Sequence, residues 1–216
     1  MYSGEFLMKN YITCLVITVV IAGGAYYIGM RRSPVTAMSS NHCSLRTDMR
    51  KLWSDHAWWT RDYLITAIAG MPDVKAATDR LLKNQVDIGV AMVPFYGKEA
   101  GEKLTALLKK HILIAADVVT AAKDNNNAKF KEANTEWYVN ADEISVFLSN
   151  ANPHWPKDAV QKMLYKHLKL TTDEATARLK KDWIGDIEAF EKVFDEIMMM
   201  ADIFTQGIVQ QFPEKF

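Results

Sequence analysis

The chain repeats itself. Three segments, KLWSDH ending at His56, LLKKH ending at His111 and MLYKH ending at His167, set histidines 55 and then 56 residues apart. Each histidine follows an apolar pair at minus four and minus three: Leu52-Trp53, Leu107-Leu108 and Met163-Leu164. A period of this length suits a helical hairpin, and such a unit buries its apolar face only by packing on neighbouring copies.

The local pattern is helical throughout the repeats. Apolar positions recur at three- and four-residue intervals in Met49, Leu52, Trp53, His56, Trp59, Tyr63 and again in Leu104, Leu107, Leu108, His111, Ile114, Val118. No segment alternates as a strand does. Breakers fall at Gly70-Met71-Pro72, Pro94 to Gly97, Asp124 to Asn127 and Asn152 to Pro156. The expected fold is therefore all-α, an antiparallel up-down helical bundle over residues 45–216 built from three related hairpins. In the third repeat two readings compete. A midpoint argument puts the turn at Ile184-Gly185, whereas Thr171-Thr172-Asp173-Glu174 has the form of a capping box that starts a helix earlier.

A second recurring set is aspartate: Asp87 in VDIG, Asp142 in ADEI and Asp202 in ADIF, which lie 31, 31 and 35 residues after their histidines. The midpoints of the first two pairs fall in predicted turns, so each histidine is expected to face an aspartate across its hairpin. His56, Asp87, His111, Asp142, His167 and Asp202 are thus candidate metal ligands, with neutral imidazole and ionised carboxylate suiting zinc, iron or manganese. The competing reading is structural, with each histidine and its partner simply paired by hydrogen bonds inside an apolar bundle. Asp62, Asp117 and Asp173, six residues after the histidines, turn about 240° away and make poor same-face ligands. His154, in PHWP, reads as exposed turn.

Other chemistry finds little support. With 26 basic and 26 acidic residues the chain offers no basic field for nucleic acid, and 49% hydrophobic residues is too many for a disordered tail. There is no GxxxxGK[ST] or GxGxxG, and neither Cys43 nor any serine has the surroundings of a nucleophile. Two cysteines give no disulfide framework. Trp53, Trp58 and Trp59 must spread over more than one helix face, which directs Trp58 to another helix, a membrane or a partner.

The N-terminus belongs to another regime. Residues 11–30 are twenty without a charge, enough as a helix to span the ~30 Å core of a bilayer. Tyr11, Tyr26 and Tyr27 suit the interfaces, and Arg31-Arg32 close the segment. This predicts a single-pass anchor within residues 1–30, a tether over 31–44 and a body on the cytosolic side by the count of flanking basic residues. A cleaved signal peptide, cut near AGGA at 22–25 and followed by secretion, is the alternative.

At LRTDMRKLWSDHAWWTRDYLI, RLLKNQVDIG, PFYG, LLKKHILIAADVV, WYVNADEI and GIVQQFPEKF the chain resembles a poorly characterised all-helical family with an LWxDHxxWTR opening and a GIxxQFPxKF ending. Some of its members carry glycosyltransferase or acetylglutamate-kinase labels. The resemblance covers almost all of 45–216; it implies a recurrent helical fold and transfers no catalytic residue. Taken together, the residues point to a membrane-anchored helical bundle with a binding or structural role, engaging a protein partner or a second copy of itself. The other reading is a metal-dependent enzyme or metal-binding protein that uses the His/Asp layer.

Overall fold

The computed structural model describes residues 39–216, and the expected anchor at 11–30 and tether residues 31–38 lie outside the described residues. Five helices follow one another: α1 (Ser40–Ala69), α2 (Val74–Lys123), α3 (Asn127–Ala151), α4 (Lys157–Leu179) and α5 (Trp183–Gln211), with a short 3₁₀ turn at Pro213–Lys215. No strand occurs among the described residues, and no helix there is long and apolar enough to cross a membrane. Helix α1 starts inside the segment expected to be tether, because Ser39 caps it, its hydroxyl accepting from the His42 amide at 3.1 Å.

Helix α2 is two rods. Gly97 has φ 84° and ψ 167°, a conformation open to glycine and not to residues with a Cβ, and the chain folds back there. In a straight helix Gly89 and Gly101 would lie ~18 Å apart. Instead a Cβ on Gly89 would sit 2.5 Å from the Gly101 carbonyl oxygen, so the two rods touch backbone to backbone. The residues 74–96 and 98–123 thus belong to successive hairpins, and six rods result. Neighbours in chain order pack on each other, and α5 closes the bundle against α1.

The three hairpin turns share one geometry. Gly70, Asn125 and Lys181 adopt left-handed φ of 68°, 54° and 60°. In each case the following amide reaches back five residues, from Met71 to Thr66, Asn126 to Ala121 and Asp182 to Ala177, at 2.9, 2.9 and 3.0 Å. The third turn therefore lies at Lys180–Asp182. Thr171 and Thr172 are mid-helix, their hydroxyls donating to the carbonyls of His167 and Leu168, and no capping box forms.

At the opposite end the connections between hairpins are tied to the C-terminus. Asn152 donates to the Tyr96 hydroxyl at 2.8 Å, that hydroxyl donates to Gln211 at 2.9 Å, and Trp155 is buried against Phe204. Phe95 packs on Phe212 and Phe216, so the PFYG and QFPEKF segments meet. One main core, including Met49, Ile88, Leu108, Ile144, Leu168 and Ile197, runs through all the helices, and a smaller cluster around Tyr63, Leu81 and Ile112 lies toward the hairpin turns.

Candidate functional site

Helices α1, α2 and α4 each carry one histidine of the repeat to the bundle axis, where His56, His111 and His167 are all 5% exposed. Their rings gather: the centroids of His56 and His167 are 5.8 Å apart and those of His111 and His167 6.4 Å apart. Each Nδ1 meets a residue 29 positions later on the antiparallel rod: Gln85, Asn140 and Glu196. The midpoints of the three pairs fall between Gly70 and Met71, Asn125 and Asn126, and Lys181 and Asp182, which are the three turns. One residue from each of six rods therefore forms a single polar layer.

The expected aspartates are elsewhere. Two residues along a helix is a rotation of about 200°, so Asp87 and Asp142 point away from the layer that Gln85 and Asn140 enter. Asp87 is bonded to Lys83, with Arg80 at 4.0 Å. Asp142 accepts from Gln161 at 2.6 Å and Tyr165 at 2.8 Å. Asp202 accepts from Arg46 and Arg50, whose guanidinium groups hold its carboxyl far below the usual range. His154 is exposed in its turn, as expected. Among the described residues no three His, Cys, Asp or Glu side chains form a group ready to hold a metal ion.

The three pairs differ in how fully they are satisfied. His111 is closed on both sides: its Nδ1 is 2.8 Å from Asn140 Oδ1, and its Nε2 accepts from Trp137 Nε1 at 3.1 Å. An indole can only donate, so the proton of His111 is on Nδ1. Gln85 Nε2 lies 3.2 Å from His56 Nδ1, 2.9 Å from Leu81 O and 3.1 Å from Asn84 Oδ1. Two amide hydrogens cannot serve three acceptors, and Gln85 Oε1 has no partner. Glu196 Oε2 is 3.3 Å from His167 Nδ1, yet that nitrogen and both carboxylate oxygens lack hydrogen bonds although Glu196 is only 2% exposed. Burial pushes His56 well below its ordinary value, with help from the other two histidines, and pushes His111 down to about 3, so both are neutral at physiological pH.

Small cavities flank the layer. One of about 50 Å³ is lined by the three histidines and by residues that follow them on their helices, among them Thr60, Ile112 and Thr171. The other, about 30 Å³, is lined by the same histidines and by residues that precede them, among them Trp53, Leu108 and Leu164. Each exceeds the ~10–15 Å³ that a water needs. Thr60 Oγ1 and Trp53 Nε1 are themselves buried without partners.

A second buried polar group, which the sequence reading missed, lies toward the hairpin turns. Arg61 Nη1 donates to Glu174 at 2.7 Å and its guanidinium grips both oxygens of Asp186 at 3.1 Å, while Arg178 reaches Asp186 at 3.0 Å. Burial drives Glu174 up to about 7 against the pull of Arg61. The partners are 113 and 125 residues apart, and the only hint was the arginine of the WTR motif. Trp58, half exposed, lies over Phe190 of α5 at 4.8 Å, so another helix is one of its contacts.

All-helical architecture with a polar layer at mid-bundle is the class that fold and site define. Compared with known proteins, the chain matches no family model, no curated protein and no solved structure.

Proposed function

We propose that the chain is a membrane-tethered binding module, anchored through residues 11–30, whose bundle core holds a small guest at the layer of His56, His111 and His167. The observation that carries the reading is the third pair. A layer kept only to set register would close its hydrogen bonds, as His111 and Asn140 do. Here the third hairpin replaces the amide by a carboxylate, leaves its oxygens without hydrogen bonds, and places it beside a histidine that borders two water-sized cavities. Unsatisfied buried carboxylates are costly, and retaining one is the mark of a site that gives up stability for binding.

Thermal unfolding of Glu196→Gln tests this. On the guest-site reading the amide restores the pattern of the other hairpins and stability rises by roughly 1–3 kcal/mol. If stability falls instead, the carboxylate is a staple for a charged His167, and the layer is structural. The tether is tested separately: the full chain stays in the membrane pellet through an alkaline wash, and release into the supernatant contradicts the anchor.

A further inference from the structure

We propose that the outer face shared by the rod 98–123 and helix α3 docks a second copy of the chain, the two copies pairing about a twofold axis that runs along the bundle. The face carries an open groove of about 810 Å³ with Ala106, Leu107, Val139, Val146 and Phe147 on its walls. Val139 and Val146 are 49% and 40% exposed, and Leu113, seven residues after Ala106 and so on the same side of its helix, is 51% exposed. Charge divides the groove by wall. Lys103 and Lys110 stand on the first rod, Asp142 and Glu143 on α3. Lys110 donates to the two oxygens of Glu143 at 3.3 and 3.1 Å, yet these side chains remain 42% and 43% exposed. An ammonium has three N–H groups and a carboxylate about four lone-pair sites, so each can take a second partner.

A groove basic on one wall and acidic on the other is complementary to itself. A twofold axis parallel to the rods lays the 98–123 rod of each copy on α3 of the other without changing height, whereas an axis across the rods sets basic wall on basic wall. The heights then match. Reckoned from His111 and Asn140, which face each other across the two rods, Leu113 with Val139, Lys110 with Glu143 and Ala106 with Val146 each agree within two residues, about 3 Å of rise. Across the axis Leu113 meets the partner's Val139 and Ala106 meets the partner's Val146. Lys110 comes to lie between its own Glu143 and the partner's Glu143, which makes four charges of alternating sign. The contact ends toward the hairpin turns, where Asp117, Glu132 and Glu136 make both walls acidic. An axis along the rods also keeps both Ser40 residues at one end of the pair, as two chains in one membrane need under the tether proposed above. Two short helix faces form a weak dimer in free solution, and confinement to one membrane raises the effective concentration.

The experiment uses two differently tagged copies of the full-length chain, co-expressed, solubilised in mild detergent and read by co-purification and light scattering. Wild-type copies are expected to co-purify as dimers. Lys110→Glu leaves both positions acidic and Glu143→Lys leaves both basic, so like charges meet across the axis and each variant alone pairs about tenfold or more weakly. Mixed, an acidic groove meets a basic one and pairing returns to about the wild-type level. Val139→Asp, which charges the apolar contact, weakens pairing by a similar factor. The proposal is overturned if the wild-type chain is a monomer, or if the pair survives all three substitutions alike. It is also overturned if the two reversed copies, each folded by circular dichroism, fail to join. Should a reversed copy not fold, the methyl signals of Leu113, Val139 and Val146 decide: they shift on dilution of the wild-type chain or the proposal is wrong. Glu196→Gln, which probes the guest site, leaves pairing unchanged, so the two proposals stand or fail separately.

Discussion

Trp137 donates its indole N–H to Nε2 of His111 across 3.1 Å, and Asn140 meets the opposite ring nitrogen at 2.8 Å. That one imidazole is held in a single tautomer by two neighbours on the same helix, three residues apart and therefore on one face. The relationship shows what the other two hairpins lack. His56 faces an overcommitted amide and His167 a carboxylate without hydrogen bonds, so a nearly threefold layer is unequal in its chemistry.

Arg61 binds two carboxylates that are each almost fully buried, with Glu174 2% and Asp186 3% exposed at the side chain. Replacing it by methionine leaves two buried acids facing each other with only Arg178 in reach. Chemical unfolding of Arg61→Met is expected to show a loss of about 3–5 kcal/mol. A loss below about 1 kcal/mol would mean that water reaches the network and supports the carboxylates.

Lys181 holds the left-handed position that glycine and asparagine hold in the other two turns, at φ 60°. A side chain there costs roughly 1–2 kcal/mol, partly offset by the extra freedom glycine loses on folding. Lys181→Gly should stabilise the bundle by roughly 0.5–1 kcal/mol in the same assay, whereas Gly70→Ala destabilises it by about 1 kcal/mol.

Much of this arrangement was legible in the chain. His56, His111 and His167 were placed in one layer by spacing alone, and the turns at Gly70–Pro72, Asp124–Asn127, Asn152–Pro156 and near Gly97 followed from backbone chemistry. The true partners are hidden because they do not recur as one residue type, whereas the aspartates do. Asp87, Asp142 and Asp202 look alike but lie two, two and six residues past the true partners, and each is rotated out of the layer. Gln85, Asn140 and Glu196 share an interval while differing in identity, so geometry rather than similarity unites them. The third turn was obscured by Thr171 to Glu174, whose capping-box form is local. Its Glu174 is claimed by Arg61 from another helix, and no local rule anticipates a partner 113 residues away.

The central claim is that three histidines meet at the buried axis of the bundle with His56 and His111 held neutral there, and it is read most directly by long-range ¹H–¹⁵N spectra of the imidazoles as pH is lowered. His56 and His111 fall below their ordinary value in the folded chain, so the unfolded chain binds more protons once pH drops below about 6.5, and stability falls as pH is lowered from there, for His111 down to about 3. Each contributes roughly 1–2 kcal/mol per pH unit, while Glu174, raised to about 7, works in the opposite sense between its ordinary value and 7. The account predicts that His111 shows a protonated Nδ1 and a bare Nε2, unchanged from pH 8 to pH 5 while the fold persists. A His111 that titrates near 6.5 in the folded chain would contradict it.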